Sequence, residues 1–266
     1  MLLSCLFAIF VHMEHDFLFF LANSILLITI LAFIIARISS RVKAHKITKA
    51  LDKKPWRPTW AYPRWKKDGE RILFFDTETT GLPKDPDADA SDDDNWPHLV
   101  SLSWIVTGPD KTIISQEHHI IKPDGFIIPK KASKVHGITT EKALAEGEDL
   151  TRVLNRFLDD FFKCGLAVGH NITFDQKVVG SELLRTGRNN YIPGLPSCDT
   201  MKSSVWYCRI PRKDGRYKMP SLWELYWKLF REGFTGAHDS LSDAKATMEC
   251  FFELVRQGVI QVNVDY

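Results

Sequence analysis

Residues 71–82 read RILFFDTETTGL, and this stretch decides both the expected fold and the expected chemistry. The run 71–76 predicts a buried strand that ends in a carboxylate. Positions i and i+2 of a strand face the same side, so Asp76 and Glu78 project together. Two carboxylates held this close repel unless a cation lies between them, and Mg²⁺ prefers such oxygen ligands. For these two residues alone, a solvated acidic pair or a helix-capping pair is an equally open interpretation.

The rest of this region predicts an α/β domain. Apolar patterning indicates further strands at 99–107, 111–121 and 166–169. It indicates helices at 149–163, 174–186, 221–230 and 241–256. Strands that come first, followed by helices interleaved with short strands, are typical of a mixed sheet with helices on its faces.

Two later segments add polar residues at the ends of these elements. Asp175 ends the run GHNITFD, where the chain leaves the strand 166–169 and opens a helix. His238 and Asp243 lie in HDSLSDAKAT, with Asp243 in the first turn of a helix and His238 on the loop before it. Each has a plain structural interpretation as well, because a helix dipole favours an acid in the first turn and a lone loop histidine has no required role.

Taken together, these segments resemble the DEDDh family of exonucleases, which contains the proofreading epsilon subunit of bacterial DNA polymerase III and ribonuclease T. The first motif resembles DTETTGL at 76–82, the second GHNITFD at 169–175, and the third the H-x4-D pattern from His238 to Asp243. The run KPDGFIIPKKASKVHGIT at 122–139 is similar to the family's segment between the first two motifs. The resemblance covers about residues 71–258 and implies a ribonuclease H-like mixed sheet flanked by helices.

The resemblance also implies roles for individual residues. Two divalent ions, Mg²⁺ or Mn²⁺, would be held by Asp76, Glu78, Asp175 and Asp243. His238 would be the general base, a task that a histidine performs at neutral pH. The terminal nucleotide would meet Thr79, Leu82, Asn171 and Phe174.

The implied function is a two-metal-ion 3′–5′ exonuclease that releases nucleoside monophosphates from DNA or RNA, with single-stranded ends expected. Two alternatives stay open at this point: a catalytically inactive ribonuclease H-like module that binds nucleic acid, and a membrane adaptor. An inactive relic should have lost at least one metal ligand or the base, whereas this chain keeps all of them.

The N-terminal apolar segment, 1–36, is predicted to contain a transmembrane anchor. Residues 17–35 (FLFFLANSILLITILAFII) carry no charge, and nineteen helical residues span roughly 28 Å, close to the hydrocarbon thickness of a bilayer. Basic residues follow from Arg37, while Glu14 and Asp16 precede the run. The positive-inside rule therefore predicts a single-pass membrane protein with the catalytic domain in the cytoplasm. A cleaved signal peptide is disfavoured because no Lys or Arg precedes the apolar run.

Three further parts follow this segment. They are a basic juxtamembrane segment with a Pro/Trp-rich linker at 37–70, the exonuclease domain at 71–260, and a tail at 261–266. Residues 37–72 hold twelve Lys or Arg and three Asp or Glu, a balance of +9. The basic charge thus lies outside the domain that carries the chemistry, which disfavours tight non-specific binding of long duplexes by that domain.

The expected partners follow from these parts. They are nucleic acid 3′ ends, a membrane contacted through residues 17–35 and the basic stalk, and a replication, repair or RNA-processing partner, since no polymerase or helicase region is present. Residues 84–96 (KDPDADASDDDNW) superficially resemble a calcium loop. Ala90 and Trp96 stand where such a loop needs Gly and Glu, so a solvated acidic loop is expected.

Overall fold

The computed structural model describes residues 71–261, together with the backbone of residues 65–66 and 264–265. The predicted N-terminal segment 1–36 and nearly all of the predicted linker 37–70 lie outside the described residues. The predicted boundaries of these parts therefore remain predictions.

The predicted localisation, a single-pass membrane protein with a cytoplasmic catalytic domain, is wrong. Within the described part of the chain, no helix is long and apolar enough to cross a membrane. The longest helix there, Ser240–Arg256, has 17 residues and includes charged side chains such as Lys245, whereas a spanning helix needs about 20 mostly apolar residues. The prediction rested on residues 17–35, which lie outside the described residues.

The described chain alternates short strands and helices. The strands are β1 Trp65–Lys66, β2 Arg71–Thr79, β3 Leu99–Thr107, β4 Ile113–Ile120, β5 Cys164–Gly169, β6 Ser197–Asp199 and β7 Val264–Asp265. The helices are α1 Lys130–His136, α2 Thr140–Glu146, α3 Leu150–Phe161, α4 Ile172–Arg185, α5 Thr200–Ser203, α6 Val205–Cys208, α7 Leu222–Phe230 and α8 Ser240–Arg256, with a 3₁₀ turn at Ile192–Gly194.

A mixed sheet forms the centre, as predicted, and it has five strands in the order β4-β3-β2-β5-β6. The strands β2, β3 and β4 form an antiparallel meander, while β5 runs parallel to β2 and β6 parallel to β5. The short strands β1 and β7 pair in parallel as a separate two-stranded sheet. Because β2 and β5 are parallel, their carboxyl ends lie at one edge of the sheet, where the last part of β2 carries the DTE segment and β5 leads into the GHN segment.

Strand β2 is apolar on both faces because helices cover both sides of the sheet. Side chains alternate between faces along a strand, so Phe75 packs edge-on against Phe157 of α3 at 5.4 Å between ring centroids. Phe74 packs against Phe251 of α8 at 5.5 Å on the other face. This two-sided burial explains why RILFF reads as a continuous apolar run rather than an alternating one.

The predicted helix positions agree with the structure to within a few residues. The helix predicted at 174–186 is Ile172–Arg185, so Asp175 lies in its first turn. The helices α1 and α2 were not predicted, because at 7 residues each they are too short to show helical periodicity. Gly137 ends α1 with a φ of 75°, a left-handed conformation that glycine adopts without strain.

Candidate active site

Three carboxylates from two elements converge at the carboxyl end of β2. Asp76 and Glu78 project from the strand, and Asp243 comes from the first turn of α8. One oxygen from each of these side chains lies within 4.8 Å of the other two. Among the described residues this is the one group of three or more potential ligands that could hold a metal ion.

Asp175 enters from α4 and is fixed by the residue between the two strand acids. Its Oδ1 accepts hydrogen bonds from the backbone N–H of Thr77 at 3.0 Å and from the Thr77 hydroxyl at 2.7 Å. Asp175 is only 3% exposed. Its charge raises the pKa of both Asp76 and Glu78, which places it next to the three-carboxylate group although it is not a member of it.

Burial raises the pKa of all four carboxyls, and repulsion from the neighbouring site acids adds to the rise at Asp76 and Glu78. Burial raises the pKa of Asp76 well above its usual range, and the charges of Asp175 and Asp243 add to the rise. Burial, followed by the charge of Asp243, raises the pKa of Glu78 to about 8. Burial raises the pKa of Asp175 to about 7, although the hydrogen bonds from Thr77 oppose the rise. Burial raises the pKa of Asp243 to about 6.

These shifts test whether the residues suit a metal ion. Acids that repel one another in a half-buried site resist ionisation until a cation neutralises them. An all-carboxylate group is the donor set that hard divalent cations prefer. Asp76, Glu78 and Asp243 therefore fit a divalent cation.

His238 lies beside this group on the turn that precedes α8. Its backbone N–H donates to Oδ2 of Asp243 at 3.1 Å, and its side chain is exposed. Its φ is 68°, a left-handed conformation that few non-glycine residues adopt and that occurs more often at functional sites. The structure thus fixes the backbone of His238 against Asp243 and leaves its imidazole in solvent.

The four residues expected to meet the nucleotide differ in exposure. Thr79 is buried, and its hydroxyl donates to the carbonyl of Gly81 at 2.6 Å, which shapes the turn after β2. Leu82 is 85% exposed. Asn171 is exposed with a φ of 69°, and Phe174 is half-buried and faces the ring of Trp96. Leu82 and Asn171 therefore have side chains that a ligand can reach directly.

Two neighbours of the site were missed at the sequence level. Asp239 caps α8, and its charge contributes to the raised pKa of Asp76, Glu78 and Asp243. His136 ends α1, and burial lowers its pKa, with a further lowering from His238. Its position in the VHGIT run was the available signal, but no spacing rule connects that run to the acids.

The acidic loop 84–96 folds on itself near this edge of the sheet. Asn95 accepts from the backbone N–H of Asp85 at 2.7 Å and donates to the Asp85 carbonyl at 2.9 Å. Arg185 of α4 donates to the carbonyls of Asp93 at 2.8 Å and Trp96 at 2.5 Å. The loop is thus held by backbone contacts, and its Asp side chains are exposed.

Comparisons with known proteins agree with this geometry. A family model described as exonuclease matches residues 73–251, which include all four acids and His238. A crystal structure of E. coli exonuclease I with a dT13 oligonucleotide matches with a TM-score of 0.56 and 24% identity over 70% of this chain and 41% of that one. A product-bound structure of exonuclease I matches with a TM-score of 0.57 and 21% identity over 72% of this chain and 45% of that one.

At this level of identity the structural matches show the fold, and the chain spans less than half of the length of the structures that it matches. No curated protein sequence matches. The family model covers well over half of the chain, and its range contains the three motifs with the acids already brought to one edge of the sheet. The chain therefore belongs to the DEDDh family of exonucleases.

Proposed function

We propose that the protein is a divalent-metal-dependent 3′–5′ exonuclease that removes nucleoside monophosphates from single-stranded ends. The observation that carries this proposal is the convergence of Asp76, Glu78 and Asp243 within 4.8 Å, with the buried Asp175 beside them. Two of the matching structures are of E. coli exonuclease I in complex with a dT13 and a dA16 oligonucleotide. They support single-stranded DNA as the first substrate to test.

Each residue of the site has a proposed role in catalysis. Asp76, Glu78, Asp175 and Asp243 would hold two divalent ions, which would supply activation of a water and stabilisation of the leaving 3′ oxygen. His238 takes the proton of the attacking water. Its imidazole is exposed and its backbone is fixed to Asp243, so the imidazole can change rotamer without moving that carboxylate.

Substrate contacts come from the turns that leave β2 and β5. Leu82 presents an exposed apolar side chain to the terminal base. Asn171 has a left-handed backbone, and its N–H donates to Asp199 at 3.0 Å, so its exposed amide is available to the nucleotide. Phe174 lies one turn behind Asn171 on the same helix, and the buried Thr79 shapes the turn from which Leu82 projects.

The experiment incubates the full-length protein with Mg²⁺ or Mn²⁺ and 5′-labelled single-stranded DNA, single-stranded RNA and blunt duplex. We expect a ladder that shortens from the 3′ end, and a phosphorothioate at the last linkage should stop it. Asp76→Asn should abolish shortening. The matched control Asp149→Asn should not, because Asp149 caps α3 far from the acids and Asn caps a helix equally well.

Two results would overturn the proposal. One is the absence of 3′ shortening on any substrate with either metal. The other is equal shortening by Asp76→Asn, which would indicate a contaminating nuclease. Oligonucleotide binding without cleavage by the wild-type protein would instead identify an inactive nucleic-acid-binding module.

A further inference from the structure

A chain of buried hydroxyls links the first turn of α8 to the strand next to the acids. In the antiparallel pair, Ser103 of β3 lies opposite Asp76, and Ser101 lies opposite Glu78. The hydroxyl of Ser240, the first residue of α8, lies 2.8 Å from the Ser101 hydroxyl and 2.7 Å from the Ser103 hydroxyl. The two strand serines are fully buried, and Ser240 is 1% exposed.

Which hydroxyl donates in each of these hydrogen bonds depends on His118, the residue at the other end of the chain of hydroxyls. Nδ1 of His118 on β4 lies 2.8 Å from the Ser103 hydroxyl. When Nδ1 accepts, Ser101 donates to Ser240, Ser240 donates to Ser103, and Ser103 donates to His118. Each hydroxyl proton then has one acceptor, and this matters because an unpaired buried hydroxyl costs about 1–3 kcal/mol.

The same helix face carries Ser240 and Asp243. Residues three apart on a helix are neighbours on its surface, so the Ser240 hydroxyl meets β3 while the Asp243 carboxylate meets Asp76 and Glu78 of β2. Cross-strand partners lie about 5 Å apart. The serine contacts are therefore side by side with the carboxylate contacts, and both set the distance of the helix from the sheet.

We propose that Ser240 is a positioning residue: its two hydrogen bonds hold the start of α8 at the separation from β2 and β3 at which Asp243 shares a metal ion with Asp76 and Glu78. This inference rests on the proposed function. The hydrogen bonds of Ser240 also hold the turn at His238 in place, because the His238 backbone N–H donates to Asp243.

A plain structural role for Ser240 would act through stability alone, so the test separates stability from metal binding. The full-length Ser240→Ala variant is compared with wild type for Mn²⁺ affinity by calorimetry, for kcat and KM on a single-stranded DNA oligonucleotide, and for Tm. Ser204→Ala is the matched control. Ser204 is fully buried, and its hydroxyl donates to the carbonyls of Thr200 at 2.7 Å and Met201 at 3.3 Å, within its own segment of the chain.

We expect Ser240→Ala to weaken Mn²⁺ binding about 10-fold, as loss of a group that orients metal ligands does. We expect kcat to fall about 10- to 100-fold, as small misplacements of reacting groups produce, with KM for the oligonucleotide within about twofold. Ser204→Ala should change Tm and leave Mn²⁺ affinity and kcat unchanged.

A triple variant with alanine at Ser101, Ser103 and Ser240 removes all three hydroxyls, so that no serine hydroxyl is left without its serine partner. It should recover the Tm lost in Ser240→Ala, because an apolar replacement of matched shape leaves no unpaired hydroxyl, yet keep the weakened Mn²⁺ binding. Wild-type Mn²⁺ affinity and kcat in Ser240→Ala, or recovery of both in the triple variant, would overturn the positioning role. Failure of the proposed function itself would instead appear in wild type, as absence of both Mn²⁺ binding and cleavage.

Discussion

Replacing Glu78 by Gln should stabilise the metal-free protein at alkaline pH. The pKa of Glu78 rises from 4.5 to about 8 on folding, so its ionisation in the folded state costs about 5 kcal/mol at about 1.4 kcal/mol per tenfold change. Because Glu78 is only half-buried, solvent screening lowers the expected effect to about 2–3 kcal/mol. The corresponding rise in Tm is roughly 5–10 °C for a domain of this size.

The pH window follows from the sign of the shift. The folded pKa lies above the unfolded one, so the folded state keeps a proton that the unfolded state loses as pH rises from about 4.5 to about 8. Stability of the wild-type protein therefore falls with rising pH across this window. Glu78→Gln has no such group, so its advantage over wild type should be absent near pH 4 and complete near pH 9.

With metal bound, wild type should be more stable than Glu78→Gln. A ligand that binds only the folded state at a hundred times its Kd adds about 2.7 kcal/mol, and wild type gains this in full while Glu78→Gln lacks one ligand. The assay is thermal unfolding at pH 4.5, 7 and 9, in EDTA and in MgCl₂, with Glu146→Gln as the control because that glutamate is exposed at the end of α2. Lower stability of Glu78→Gln than wild type at pH 9 in EDTA, or the same difference at every pH, would refute the reasoning.

Three further predictions concern neighbouring contacts. Thr77→Val removes the hydroxyl bond to Asp175, so the pKa of Asp175 should rise further; Mn²⁺ affinity by calorimetry should fall at pH 7 and recover at pH 9. His238→Asn removes the proposed base, and asparagine tolerates the left-handed backbone. We expect kcat to drop by about 10²–10⁴ with Mn²⁺ affinity unchanged. Weaker Mn²⁺ binding would contradict this role. Arg185→Ala removes one partner of the buried Glu182, at 3.0 Å, and leaves the hydrogen bond that Glu182 accepts from the Leu99 N–H. Urea unfolding should therefore show a loss of about 1–3 kcal/mol. Limited proteolysis should cut within 84–96; an uncut loop would show that other contacts hold it.

The sequence predicted the sheet because its central strand has an unambiguous pattern. The RILFF run could be placed as a buried strand, and the helix periods of α3 and α8 are long enough to read. The strand pairing could not be predicted in the same way. The register that sets Ser103 opposite Asp76 and Ser101 opposite Glu78 depends on contacts across the sheet that no local pattern carries.

The candidate site likewise has one part that could be predicted from the sequence and one part that could not. Asp76 and Glu78 could be paired from their spacing, because a strand places i and i+2 on one side. Asp243 is far away in the chain, and only the motif order joined it to them. The contributions of Asp239 and His136 could not be predicted, because each acts through charge or burial that exists only once α8 and α1 pack at the sheet edge.

The packing of the first half of β2 explains how the fold tolerates carboxylates that repel one another in the second half. Residues 72–75 are buried on both faces by aromatic packing, which fixes the strand rigidly up to Asp76. The register shifts between Glu78 and Thr79, just after the last site carboxylate of the strand. Rigid packing on one side lets carboxylates that repel one another remain close on the other, and a cation that neutralises them recovers the stability that they cost. On this reasoning metal affinity and core packing are coupled. A cavity in the first half, made by Phe75→Leu, should therefore weaken Mn²⁺ binding measured by calorimetry as well as lower Tm.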